Sequence, residues 1–234
     1  MNKAPNGKRS NLTPEQYKLV RTPAFKRWFG DWENDAENAS KVVDENGEPM
    51  VVYHGSNNSF HSFKSRLHFF TNDISLAEHF GKEYYGSVEN RVSSVYRCFL
   101  NLRNPFIMPF TNSWADVEIS YFIKSFGEDL FLELLEFEFG NYDSIEHYYE
   151  EREPVSIDQL SLFLKSKGLV DGVVAKQIGE TANASWNTDD YIAFESNQIK
   201  LADGTNTTFN SINTDIRYKK GGYLGDWNYT IGGL

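Results

Sequence analysis

Val51-Val52-Tyr53-His54-Gly55-Ser56 carries an apolar run into a histidine, a glycine and a serine, and Tyr191-Ile192-Ala193-Phe194 answers it far downstream. The first run sets a side chain that donates or accepts a hydrogen bond beside a residue without Cβ, where a ligand can come close to the backbone. The second run, continuing to Lys200, is β-rich and is entered by two carboxylates, Asp189 and Asp190. A histidine and a carboxylate on separate strands suit a ribose hydroxyl held between them.

Working outward, Lys41-Val42-Val43 and Met50 to Tyr53 flank Asp44-Glu45-Asn46-Gly47, and Asn-Gly between β-branched runs is a hairpin signal. His68 to Thr71 reads as a short strand, after which Asn72 or Asp73 caps a helix through Ala77 to Phe80. Val92 to Leu102 is the longest strand candidate, stopped by Asn104-Pro105. Strands return at Gly172 to Ala175, Tyr191 to Phe194 and Gln198 to Lys200. Such mixed order predicts an α+β fold with a mainly antiparallel, strongly twisted sheet.

Helix signals sit around these strands. Thr13 and Gln16 form a capping box with Pro14 at the first helical position, and Pro23 interrupts the pattern that continues to Phe25, Trp28 and Phe29. Trp28 to Trp32 reads as an aromatic clasp fastening this arm to the body. Ser113 is expected to cap a helix from Trp114, opening an acidic helical insertion over 113–151 that packs on one side of the sheet. Ser156 and Gln159 make a second capping box, for a helix ending at Lys167-Gly168. The expected organisation is a helical arm over 1–40, a main domain over 41–218 and a loosely ordered tail over 219–234.

The chain has 234 residues, ample for a substantial core. A formal charge of −10 argues against non-specific nucleic-acid binding, which depends on neutralising phosphates. Lys18, Arg21, Lys26 and Arg27 form a local basic cluster. Aromatics at 15% fit an aromatic-rich core and also fit stacking on ligand rings. Cys98 is the single cysteine, which leaves no disulfide framework and no thiolate zinc site. His61, His68, His79 and His147 show no metal-ligand spacing with carboxylates or with Cys98. The polar N-terminus has no secretory h-region and no stretch approaches the roughly 20 apolar residues of a membrane span, so a soluble, intracellular protein is expected.

The segments VVDENGEPMVVYHGS, HFFTNDISLAEHF, VYRCFLNLRNPF, DGVVAK, YIAFESNQIKLADG and TDIRY, in that order, resemble the ADP-ribosyltransferase modules of polyvalent proteins from phages and conjugative elements. The resemblance runs from about Phe25 to Tyr218. More distantly the chain is similar to the diphtheria-toxin and poly(ADP-ribose) polymerase class, whose signature is His, Tyr and Glu on three strands. By this resemblance His54 is the ribose-binding histidine, while Gly55 and Ser56 hold the nicotinamide carboxamide. Phe69 stands at the family tyrosine, and Phe80 is a second aromatic against the nicotinamide ring. Asp190 takes the place of the catalytic glutamate. Two departures are visible. Phe69 keeps a ring but has no hydroxyl, and Asp190 is one methylene shorter than glutamate.

The resemblance implies cleavage of the nicotinamide–ribose bond of NAD and mono-ADP-ribosylation of a macromolecule, a protein ahead of a nucleic acid. NAD is then the substrate, and the reaction calls for no metal. His54 and Asp190 would be the catalytic pair, with Asp189 and Glu195 as other candidates for the acid. The setting is the cytoplasm of a bacterial host, with no membrane partner and a toxin-like effector role for the phage or mobile element. Acceptor choice falls to the polar loop from Gln177 to Thr188, which carries Trp186. Arg66 is either a pyrophosphate contact or a surface residue. NAD hydrolysis and a non-catalytic NAD-binding or interaction module stay open beside transfer, as does a docking role for the acidic insertion.

Overall fold

The computed structural model describes residues 2–82, 94–111, 113–140, 142, 144–151, 153–179 and 187–217. Three of the sequence expectations fall outside that range: the start of the strand at 92–93, Trp186 with most of its loop, and the tail.

Among the described residues, seven strands form one mixed sheet with the order β4-β5-β6-β2-β1-β3-β7. They are β1 (Val52–Ser56), β2 (His68–Thr71), β3 (Ser94–Leu100), β4 (Phe106–Met108), β5 (Gly172–Gly179), β6 (Asn187–Ala193) and β7 (Ile199–Leu201). All neighbours are antiparallel except β4 and β5. That parallel pair needs a crossover, and the chain supplies a helical one between Met108 and Gly172. The fold is α+β, as the mixed order of elements predicts.

The sheet is joined at its middle by very little. β1 pairs with β2 through Tyr53↔Thr71, whereas β1 pairs with β3 through five consecutive residues. Successive side chains alternate between faces, so each strand feeds two cores. On one face Val173, Ala175 and Ile192 pack against the crossover helices α4 (Ser120–Phe126), α5 (Glu128–Phe139), α6 (Ile145–Glu151) and α7 (Ile157–Lys167). On the other, Val52, Phe70, Cys98, Tyr191 and Ala193 form a second core.

The helices start where local chemistry dictates. Thr13 accepts the Gln16 amide and Gln16 returns the bond, which opens α1 (Pro14–Leu19). Thr22 then caps α2 (Pro23–Phe29) with Pro23 in its first turn, so the proline separates two helices. The aromatic clasp is a core of its own: Phe25, Trp28, Phe29 and Trp32 are buried against Phe99 and Phe209. Trp28 also donates to the Asn197 carbonyl at 3.1 Å.

Two local expectations are corrected. The hydroxyl of Ser113 accepts the Ala115 amide at 3.1 Å and closes a turn, and the first crossover helix begins only at Ser120. The turn at Asn46-Gly47 forms, but its ladder is one bridge, Val43↔Pro49. Pro49 has no N–H to extend it.

Candidate active site

Four strands align one residue each across the middle of the sheet. Tyr53 of β1 faces Thr71 of β2, Thr71 faces Asp190 of β6, and Asp190 faces Ala175 of β5. Directly opposed residues share a face, so this row stands on the side that packs on the crossover helices. Phe69, two residues from Thr71, joins it. Asp73 ends β2 by accepting the Ser75 amide at 2.7 Å and the Leu76 amide at 3.3 Å, which turns the chain into α3 (Ile74–Lys82). Helix α3 lies directly over β1 because Gly55 has no side chain there. A Cβ at that position would stand 1.8 Å from the Ala77 carbonyl oxygen.

The space between α3 and the start of α7 is a cavity of about 380 Å³, within the range of small-ligand sites. His54, Gly55, Phe69, Phe80 and Asp190 all line it. Ser56 does not: it is buried, and its hydroxyl accepts the Asn58 amide at 3.1 Å. Thr71, Trp114, Ile157 and Asp158 also line the cavity. Thr71 was within reach of sequence reasoning, since period-two alternation from Phe69 leads to it. Trp114 and Asp158 carry no such signal, because tertiary packing alone brings the crossover to this wall.

His54 is fixed by a bond that defines its tautomer. Its Nδ1 lies 2.7 Å from the Phe69 carbonyl, which can only accept, so Nδ1 carries the proton and Nε2 is left as an acceptor. The rings of Phe63 and Phe70 sit 5.0 and 5.5 Å from the imidazole. Burial there pushes its pKa below the usual histidine value, the Phe69 carbonyl partly opposing. His54 is therefore a neutral acceptor at physiological pH.

The carboxylates divide by face. Asp190 is 8% exposed and sits in the cavity. Asp189 points to the opposite side, where it binds Lys176 Nζ at 2.7 Å. Glu195 is on the surface and pairs with Lys165 at 3.2 Å. Arg66 is exposed. Among the described residues the cavity lining holds Asp158 and Asp190 and no lysine or arginine. Burial raises the Asp158 pKa above the usual carboxylate value. The cavity thus favours a cationic or electron-poor guest.

His68, behind the site on β2, gives an independent check on the packing. It is 2% exposed and its Nδ1 is buried without a partner among the described residues. Burial first, then the Lys165 charge, pushes its pKa down to about 4. The unfolded chain takes up this proton below pH 6.5 and the fold refuses it until about pH 4, so stability falls as pH drops through that window. The expected loss is roughly 2–3 kcal/mol. Urea midpoints of wild type and His68→Gln between pH 7 and 4.5 measure it, with a visibly flatter profile expected for the variant.

Residues 44–209 match the family model described as ADP-ribosyltransferase in polyvalent proteins. No curated protein and no solved structure matches the chain. The family match takes in β1, β2, α3, α7 and β6, all of which border the cavity, and it spans well over half of the sequence. The chain belongs to the ADP-ribosyltransferases of polyvalent proteins, a family of enzymes that transfer ADP-ribose.

Proposed function

We propose that this protein is an NAD-dependent mono-ADP-ribosyltransferase, acting as a phage or mobile-element effector on a macromolecule of its bacterial host. One observation carries the reading: His54, Phe69, Phe80 and Asp190, drawn from three strands and a helix, line a single cavity. NAD would enter with its nicotinamide between the Phe69 and Phe80 rings. Gly55, which borders the cavity, would meet the carboxamide through its backbone, and Ser56, outside the lining, would have to act through the backbone of β1.

The bond that breaks joins the anomeric carbon to the nicotinamide nitrogen, and its electron pair leaves with nicotinamide. Positive charge then develops on the ribose. Asp190, held in a buried site, stabilises that charge where it forms, which is the most effective use of a preorganised carboxylate. Among the described residues no lysine or arginine lines the cavity, which works in the same direction. His54, whose ring stands with Phe63 and Phe70 on the face of β1 away from Asp190, has its Nδ1–H committed to Phe69 and would offer Nε2 to a hydroxyl of the other ribose, that of adenosine. The acceptor nucleophile bonds to the anomeric carbon and gives up its proton to solvent. An acceptor site on a protein fits the negative charge of the chain better than one on a nucleic acid.

Incubation of the purified protein with NAD labelled on the adenosine half, in a host lysate, tests transfer against hydrolysis. Label in a macromolecular fraction is the expected result. Free ADP-ribose with no labelled macromolecule would make the protein an NAD glycohydrolase. NAD binding without nicotinamide release would make it a binding module, the outcome that the missing Phe69 hydroxyl and the short Asp190 would then explain.

A further inference from the structure

The ladder between β5 and β6 breaks beside Asp190. Ala175 pairs with Asp190 and Ile178 with Thr188, so Lys176 and Gln177 on β5 oppose Asp189 alone on β6. Two residues against one is a β-bulge. Gln177 adopts φ +53°, a left-handed conformation that a non-glycine residue holds only when its surroundings enforce it.

Asp189 is what enforces it. Its Oδ1 accepts the Gln177 amide at 3.1 Å, and its Oδ2 accepts Lys176 Nζ at 2.7 Å and the Tyr191 hydroxyl at 3.3 Å. The backbone of Asp189 is anchored on the other side. Its amide donates to Asn72 Oδ1 at 3.1 Å, and its carbonyl accepts the Asn72 amide at 3.3 Å. Asn72 follows Thr71, the partner of Asp190 in the ladder. Asp189 is therefore tied to the strand on each side of β6, one residue before the cavity carboxylate.

We infer that Asp189 is a positioning residue, which with Lys176 and Gln177 locks the bulge in place so that Asp190 stays aimed into the cavity. The inference rests on Asp190 being the catalytic carboxylate. A bulge free to migrate by one residue would take over the Ala175↔Asp190 pair, and in a strand a slip of one residue sends a side chain to the opposite face. Asp189 itself, with both oxygens engaged behind the sheet, acts on the reaction only through its neighbour.

Nicotinamide release at varied NAD, with wild type, Asp189→Asn, Lys176→Met and the double variant Asp189→Asn/Gln177→Gly, tests this. In Asp189→Asn, kcat is expected to fall about 10- to 100-fold with KM nearly unchanged, because misplacing a reacting group by about an ångström is enough. Lys176→Met, which keeps the Gln177 bond, loses less. The double variant regains much of the rate, since glycine holds a positive φ without help. A merely structural role predicts no such rescue. An Asp189→Asn variant as active as wild type, a KM that rises in step with the loss, or a double variant no better than the single one would overturn the inference. Wild type that releases no nicotinamide would instead defeat the reading of Asp190 on which it rests.

Discussion

Asp190→Asn is expected to lower nicotinamide release from NAD by about 10²- to 10³-fold, the range seen when a preorganised electrostatic group is removed from an active site. The substitution preserves size and removes charge. NAD affinity should hardly change, because the charge that Asp190 answers exists fully only as the bond breaks. A neutral amide in the same buried place still fits the ladder opposite Thr71 and Ala175, so the melting temperature serves as the control. Asp190→Glu keeps the charge and restores the side-chain length usual in the wider class. It is expected to retain more activity than the asparagine variant. Asparagine and wild type with equal kcat would remove Asp190 from the chemistry.

Gly55→Ala is expected to cost about 3 kcal/mol or more in stability and to abolish the cavity, the severe end of overpacking. The new Cβ would stand 1.8 Å from the Ala77 carbonyl oxygen and 2.8 Å from the Gly81 amide nitrogen. Both are helix backbone, so no rotamer change relieves the clash and α3 must move off β1. Phe80 would move with it, and the wall facing Phe69 would open. Gly47→Ala is the comparison: its φ is +78° but a Cβ there meets nothing within 4 Å, so the cost is only about 1 kcal/mol of backbone strain. Urea midpoints for the two variants separate crowding from strain. A Gly55→Ala protein as stable as wild type would contradict the packing of α3 on β1.

Features governed by neighbours in the chain were legible beforehand. The capping boxes at Thr13 and Ser156 rest on residues three apart, and both form as their spacing predicts. The alternation of β6 follows from the pleat, and Ile192 does enter one core while Tyr191 and Ala193 enter the other. Where a local signal had two uses, it misled. Ser113 caps a turn as readily as a helix, and here its hydroxyl accepts the Ala115 amide, five residues before the first crossover helix begins at Ser120. The short strand Phe106–Met108 lies just past Asn104-Pro105, a stop signal that hid it, and its parallel partner β5 is supplied only by the crossover. Trp114 and Asp158 belong to the same class. They reach the cavity by tertiary packing, so nothing in their immediate sequence marks them. The bulge at Lys176-Gln177 was likewise invisible, because its cause, the Asp189 carboxylate, lies twelve residues away from Gln177.

The most direct measurement is nicotinamide release from NAD by wild type and by His54→Ala, each with and without host lysate. His54 is half-buried, bonded to Phe69 and central to the ring cluster, so the folded state of the variant is checked alongside by circular dichroism. Release by wild type that rises with lysate and vanishes in a folded His54→Ala is the predicted result. Equal release by both proteins, or none by wild type, would contradict the account.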